Sequence, residues 1–319
     1  MAPGSVVMSA GASDSAREAT QTEPCVWDNL ALSREIQVAE AACREAADII
    51  LRARPGVLEF NRVKEKDGGE GPVTEADLKA DSAIRAHIAA AFPRDALISE
   101  ETYCDSVPLP TSGRVWMVDP LDGTKNFINP DSTDFCVMIG MCIDGVPVLG
   151  VIMEPSTGRL WKGINMGSVQ QATYSQRGGK DVVIDRLSGN LGPTLRFGAA
   201  PPVNPRFTPL VSKMVMPAVA VPMGSAGLKA MLIVDGLSDI YTSSFGQMSV
   251  WDICASHAIL AAIGGNLLTL KEEPINYSNR CLRDGLFFYH PGVNAEIRKK
   301  VRDMYEFLAM HYAQRRPRV

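Results

Sequence analysis

From Ser33 to Arg54 the apolar residues Ile36, Val38, Ala42, Ala46, Ile49 and Ile50 recur at helical spacing, which predicts a helix stopped by Pro55-Gly56. A polar, glycine-rich run follows, Lys64-Glu65-Lys66-Asp67-Gly68-Gly69-Glu70-Gly71. It fits either a solvated loop or a lid over a site. A second helix is expected to open at P-V-T-E-A-D (72–77), where Thr74 and Asp77 have capping-box spacing. Leu78, Ile84, Ile88 and Phe92 would form its apolar face. After Pro93, Ala96 to Ser99 reads as a short strand that delivers Glu100 and Glu101. Val115 to Val118 and Phe135 to Cys142 are unbroken apolar runs, the mark of buried strands. Asp144-Gly145 is a hairpin turn that returns the chain through Val146 to Met153, and Arg159 to Ile164 extends the sheet. The first half is therefore expected to be helices on a largely antiparallel sheet.

Composition changes across Leu187 to Pro193, where a boundary is placed between a lobe of residues 25–190 and one of residues 191–319. Leu195 to Ala199 and Ala218 to Met223 read as strands. Gly224-Ser225-Ala226-Gly227 then leads into a helix through Val234. Asp239 to Thr242 is short and extended. Trp251-Asp252 opens a helix with Ala255, Ile259, Leu260 and Ile263 on one side, ended by Gly264-Gly265. Leu267 to Leu270 and Leu286 to Tyr289 are further strands, and a closing helix runs from about Ala295 to His311. This second lobe reads as α/β.

Residues 1–24 are rich in Ala, Ser, Gly and Thr, carry Asp14, Glu18 and Glu23, and lack a continuous apolar core. They fit a disordered tail, with order beginning near Asp28, better than a secretory or mitochondrial leader. The 319 residues suffice for a large core, and 46% hydrophobic with 21% charged residues is ordinary for a globular protein. A net charge of −4 gives no electrostatic case for a nucleic-acid polymer or a membrane surface. No apolar run is long enough to span a bilayer. The seven cysteines are scattered without a C-x-x-C, which points to reduced thiols and a cytoplasmic setting. His87, His257, His290 and His311 are isolated and have no zinc spacing.

The chemistry concentrates in Trp116 to Phe127, W-M-V-D-P-L-D-G-T-K-N-F. Asp119 and Asp122 end a buried strand, where carboxylates are costly unless a positive charge sits among them. Mg²⁺ would satisfy them, because it prefers carboxylate and carbonyl oxygen. Pro120 restricts the turn so that both side chains and the Leu121 carbonyl can face one point. Gly123 lets an anion approach the backbone, and a helix starting at Thr124 would turn its free N–H groups to that anion. The plainer alternative is an acidic turn capping a helix. Glu100 and Asp252 also sit at the edges of apolar elements, although adjacent carboxylates often mark solvated loops and Asp252 suits a helix cap. The chain has no G-x-S-x-G and no P-loop. Convergent carboxylates beside a glycine-threonine turn fit metal-assisted attack of water on a phosphate monoester, with no covalent protein intermediate.

With these stretches in view, the chain resembles the inositol monophosphatase superfamily of Mg²⁺-dependent, Li⁺-sensitive phosphatases. The resemblance rests on P-V-T-E-A-D (72–77), S-E-E (99–101), W-M-V-D-P-L-D-G-T (116–124) and W-D-I-C-A…A-I-G-G (251–265). It implies a layered α-β-α-β-α sandwich of the inositol monophosphatase and fructose-1,6-bisphosphatase type. It further implies two or three Mg²⁺ ions per site, bound by Glu100, Asp119, the Leu121 carbonyl, Asp122 and Asp252. Thr124 and Asp77 would orient and help deprotonate the attacking water, with Glu100 counted among the catalytic groups as well. Gly123 and Thr124 would hold the phosphate of a small phosphorylated substrate.

Within the superfamily, Gly224-Ser225-Ala226-Gly227-Leu228-Lys229, Gly236, Tyr241 and the Lys125 after D-G-T resemble the 3'(2'),5'-bisphosphate nucleotidases. That branch would place Ser225 and Lys229 against the nucleotide or its second phosphate; otherwise Lys229 is a solvated helix residue. Asn126-Phe127 is closer to the inositol monophosphatase pattern. Arg196-Phe197-Gly198-Ala199-Ala200-Pro201 stands where the nucleotidases carry a polar Ser-Arg-Ser-His stretch. An inositol phosphate or a sugar phosphate is therefore the second substrate class. A silent phosphometabolite-binding relative is a third reading, and a monomer and a homodimer are both compatible with the chain.

Overall fold

The computed structural model describes residues 26–27, 30–60, 63–66, 72–104, 106–243 and 248–313. The tail expected over residues 1–24, the onset expected near Asp28, and residues 67–71 of the polar loop lie outside them. Helices α1 (Ser33–Phe60) and α2 (Glu75–Ala91) pack side by side on one face of a seven-stranded sheet, with a small ribbon of β1 (Val63–Glu65) and β2 (Pro72–Thr74) between them in sequence. The sheet is made, in spatial order, by β3 (Ala96–Ser99), β4 (Arg114–Asp122), β5 (Cys136–Ile143), β6 (Val146–Glu154), β7 (Arg159–Met166), β8 (Val169–Gln176) and β9 (Val182–Val183). β3 runs parallel to β4 and the other pairings are antiparallel. A single helical turn, α3 (Thr124–Phe127), follows β4.

The second sheet has five strands: β10 (Leu195–Ala199), β11 (Ala218–Pro222), β12 (Ile240–Ser243), β13 (Asn266–Thr269) and β14 (Leu286–Tyr289). β10 is parallel to both β11 and β12, whereas β14 is antiparallel to β12 and β13. Helix α4 (Phe207–Met214) and helix α7 (Ala295–Ala313) cover its outer face, and α5 (Ala226–Val234) and α6 (Cys254–Ala262) lie between the two sheets. The layers are thus α-β-α-β-α, as the resemblance implied.

Burial on both faces explains the unbroken apolar runs of the central strands. In β5, Val137, Ile139 and Met141 face α1 and α2, whereas Cys136, Met138 and Cys142 face α5 and α6. Gly140, Gly150 and Gly163 are register partners across β5, β6 and β7. They form a side-chain-free stripe on which α6 lies. A Cβ at Gly140 would sit 2.6 Å from the Ala255 nitrogen, and one at Gly163 2.7 Å from the Ile259 Cα. This close seat fixes α6, and with it the Asp252 turn at its start.

Several expectations need correction. The helix expected to stop at Pro55-Gly56 continues to Phe60. Pro55 removes one intrahelical donor, but Val57 is buried in the core beneath α1, and Arg54 donates to the Phe127 and Asn129 carbonyls at 3.1 and 2.8 Å. Leu78 is 52% exposed; Ala76 and Ala80 join Ile84 and Ile88 on the buried face instead. β8, β9 and α4 are additional elements, and the sheet extends two strands past Met166.

Candidate active site

On a regular strand Asp119 and Asp122, three residues apart, would point to opposite faces. The register of β4 against β5 shifts between them: Asp119 pairs with Met138, and Asp122 with Cys136. Three steps on one strand are matched by two on the other. This bulge at Pro120-Leu121, where proline has no donor for the ladder, brings both carboxylates to the face of Met138 and Cys136, toward α5 and α6. Gly123 then turns the chain with φ 93°, and a Cβ there would stand 2.8 Å from the Asp134 carbonyl. Glycine is required on both counts.

Glu100 comes from the end of β3, its N–H bonded to the Val118 carbonyl at 3.1 Å. Ser99 just before it donates to Asp81 of α2, which ties that strand end to the helix layer. Asp252 closes a 3₁₀ turn, Val250–Asp252, and accepts the Ser249 N–H at 2.7 Å. Glu100, Asp119 and Asp252 each offer an oxygen, and these atoms lie within 4.8 Å of one another. They line one cleft of about 280 Å³ with Leu121, Asp122, Gly123, Thr124 and Lys229. Residues separated by more than a hundred positions thus meet.

The electrostatics of the cluster are those of crowded, buried carboxylates. Burial, then Glu100, Asp122 and Asp252, push the Asp119 carboxyl well above the usual range. Burial and Glu100 do the same to Asp252, against the Ser249 N–H. Such carboxylates hold protons unless a positive charge replaces them. The donors are hard oxygens from carboxylates, with no thiolate or imidazole in the cluster, which suits Mg²⁺. The cluster's chemistry therefore fits the metal that the resemblance implied. Lys66 supplies one cation from the protein itself, 2.6 Å from Glu100 and 2.7 Å from Glu101. Burial opposes its charge, but these two carboxylates hold the ammonium above its ordinary value. Sequence reasoning passed over Lys66, because a lysine in a polar loop carries no spacing signal.

Asp77 caps α2 and also reaches Thr124 at the cleft. Its Oδ2 accepts the Thr74 N–H at 2.8 Å and the Thr74 hydroxyl at 2.6 Å, completing the capping box. Its Oδ1 faces the Thr124 hydroxyl at 3.1 Å, and Thr124 Oγ1 is also 3.1 Å from the Leu121 carbonyl. Burial raises the Asp77 pKa despite the Thr74 and Thr124 bonds.

Asp122 lines the same cleft but is drawn toward α5. Its Oδ2 accepts the Ser225 hydroxyl and, at 2.7 Å, the Gly227 N–H. Burial raises its pKa, while Ser225, Gly227 and Lys229 pull it back. Lys229 is only 8% exposed and lines the cleft, its Nζ 4.8 Å from the centre of the Tyr241 ring. The solvated-residue reading of Lys229 therefore fails. Ser225, expected against the substrate, is 1% exposed and is not among the cleft-lining residues; its hydroxyl caps α5 and reaches Asp122. Gly224, Ala226, Tyr241, Ser243 and Met248 complete the wall.

A family model described as the inositol monophosphatase family matches residues 31–303. The chain is 31% identical over 215 residues to a 3'(2'),5'-bisphosphate nucleotidase CysQ of Aggregatibacter actinomycetemcomitans, covering 66% of this chain and 76% of that one. It is 30% identical over 242 residues to a 3'-phosphoadenosine 5'-phosphate phosphatase of Mycobacterium leprae, covering 73% and 83%. The solved structure of inositol monophosphatase-II from Staphylococcus aureus MSSA476 superposes with a TM-score of 0.65 over 89% of this chain and 100% of that one, at 21% identity. That last likeness is one of fold. No described helix is long and apolar enough to cross a membrane.

Proposed function

The chain belongs to the inositol monophosphatase family and is a phosphatase, and on that premise we propose that it is a Mg²⁺-dependent 3'(2'),5'-bisphosphate nucleotidase. The reaction is hydrolysis of adenosine 3',5'-bisphosphate to AMP and inorganic phosphate. The observation that carries the substrate choice is Lys229. A buried ammonium at the cleft wall, beyond the groups needed for one phosphate, suits a substrate with a second. The names of the two relatives at 30% and 31% identity support the same choice.

Glu100, Asp119 and Asp252, with Asp122 and the Leu121 carbonyl, would hold the Mg²⁺ ions, two or three per site. The chemistry Mg²⁺ supplies when bound is neutralisation of phosphate charge and acidification of water. Thr124, with its hydroxyl proton directed to Asp77, presents Oγ1 to the attacking water and orients it. The water proton passes through Thr124 to Asp77, whose raised pKa makes it a stronger base. The water oxygen bonds to phosphorus, the ester P–O bond breaks, and the leaving oxygen takes a proton from solvent. Gly123 and Thr124 hold the transferred phosphate at the turn.

An inositol phosphate is the second reading, favoured by the glycine that β10 places at position 198. Gly198 stands behind Lys229 and Tyr241, with no polar side chain to meet a nucleotide. Phosphate release from adenosine 3',5'-bisphosphate, inositol 1-phosphate and inositol 1,4-bisphosphate, compared at equal concentration with Mg²⁺, separates the two. A higher kcat/KM on either inositol compound reverses the assignment.

A further inference from the structure

Asp122 is the one expected carboxylate ligand outside the tight cluster of Glu100, Asp119 and Asp252. Something must hold it at the rim, because a lone buried carboxylate would otherwise rotate toward water or take up a proton. The two nearer donors come from the other half of the chain, and a third, Cys136, from the neighbouring strand β5. Ser225 Oγ, Gly227 N–H and, more distantly, Cys136 Sγ at 3.6 Å all meet Oδ2. Among the described residues no donor reaches Oδ1. The Ser225 hydroxyl is itself fixed, accepting the Leu228 N–H at 3.1 Å and lying 3.3 Å from Cys136 Sγ. Its single proton is therefore free to point at Asp122, and its rotamer is locked by the start of α5. Ser225 is 1% exposed and is not among the cleft-lining residues, although its neighbours Gly224 and Ala226 are.

We infer that Ser225 is a positioning residue for metal binding. With the Gly227 N–H it fixes Oδ2 of Asp122 so that Oδ1 is presented to a cation, and it does not contact the substrate. This rests on the reading of Asp122 as a metal ligand. Aiming a ligating carboxylate through an outer hydrogen bond is a recognised means of tuning affinity. Here the bond also spans the bulge of the first sheet and the helix layer between the sheets, so the last ligand is set only when the two halves are together.

The test is Mn²⁺ binding to the full-length, substrate-free protein, followed by the electron paramagnetic resonance signal of the free ion. Ser225→Ala removes the hydroxyl and the helix cap together. Ser225→Gly removes the hydroxyl but leaves a residue that caps acceptably. Ser225→Thr keeps the hydroxyl. Both deletions are expected to weaken Mn²⁺ binding by about ten-fold or more, and Ser225→Thr to restore it. In turnover the deletions raise the Mg²⁺ concentration for half-maximal rate, while KM for adenosine 3',5'-bisphosphate at saturating Mg²⁺ stays near that of the wild type. A purely structural cap would lower Tm in Ser225→Ala alone and leave Mn²⁺ affinity unchanged; that result overturns the inference. So does an unchanged Mn²⁺ affinity in Ser225→Gly with a raised substrate KM, which returns Ser225 to the substrate. If the wild type binds no Mn²⁺, the metal-site reading itself has failed, which is a separate outcome.

Discussion

The Thr124 hydroxyl lies 3.1 Å from Asp77 Oδ1, joining the turn after β4 to the first turn of α2 across 47 positions of sequence. Asp77 is fixed on its other oxygen by Thr74, so Oδ1 has a defined direction. Asp77→Asn keeps the shape but cannot take a proton. It is expected to lower kcat by about 10²–10⁴-fold while Mn²⁺ binding stays near wild type. Thr124→Ala should fall in the same range, and the double variant should be no worse than the poorer single one, because the two act as a unit. Additive losses in steady-state kinetics would break the relay.

Lys229 sits against Tyr241 with its charge facing Asp122 and Asp134. Burial pulls its pKa down and those carboxylates oppose the change. Lys229→Gln retains a polar tip of similar length. If the ammonium meets a second phosphate, kcat/KM for adenosine 3',5'-bisphosphate should fall about 10–100-fold, the worth of one charged hydrogen bond. The value for p-nitrophenyl phosphate, which carries a single phosphate, should change far less. Equal losses on both would place Lys229 in service of Asp122 alone.

What the sequence disclosed, and what it hid, follows from the range of each signal. The apolar runs ending in Asp119 and Glu100 announced buried strands with charged tips, a local pattern that survives in the fold. The bulge that puts Asp119 and Asp122 on one face is a matter of pairing with β5, which no single strand encodes. Pro120 in the turn suggested that convergence, and the resemblance to a phosphatase family supplied the ligand roles; periodicity alone did neither. The Ser225 bond to Asp122 was not legible, because a Gly-Ser-Ala-Gly turn reads alike whether its hydroxyl faces a ligand or a carboxylate behind the wall. Pro55 was overvalued as a stop signal, since its cost is outweighed by burying Val57. β8, with alternating Gln, Thr and Ser, lacked apolar period enough to stand out, and α4 was hidden by its eight-residue length and the Pro209 inside it.

The acidic cluster ties stability to pH and metal. Burial pushes Glu101 up to about 7, against the Lys66 ammonium, and raises Asp119 and Asp252 as well. A carboxyl whose folded pKa exceeds its unfolded value of about 4 favours folding while protonated in the native state. That contribution is complete below the unfolded pKa and is lost as pH rises through the folded one. Metal-free protein should therefore lose Tm between about pH 4.3 and 7 from Glu101, with Asp119 and Asp252 adding losses of the same sign as pH rises. Millimolar Mg²⁺ should raise Tm at pH 8 and do much less at pH 5, where protons compete. Thermal unfolding in EDTA and in Mg²⁺ across this range checks the sign; a Mg²⁺ shift that grows on acidification would contradict it.

Gly150 is the centre of the stripe that seats α6, paired with Gly140 on one side and Gly163 on the other. A methyl group there would run into the Ala255 carbonyl, which is backbone and cannot rotate away. Gly150→Ala must therefore lift α6 from the sheet or bend β6, at a cost of about 1–3 kcal/mol. Asp252 closes the turn that starts α6, so the same displacement carries it away from Glu100 and Asp119. The variant is expected to show both a lower Tm and weaker Mn²⁺ binding, although residue 150 touches neither metal nor substrate. Gly56→Ala is the control. It lies inside α1 with nothing within 4 Å of an added Cβ, so it should stabilise by about 0.4–1 kcal/mol through the unfolded chain and leave metal affinity alone. A Gly150→Ala protein that loses stability but binds Mn²⁺ as the wild type does would mean that the Asp252 turn is held by Ser249 and the first sheet, and not by the seat of α6.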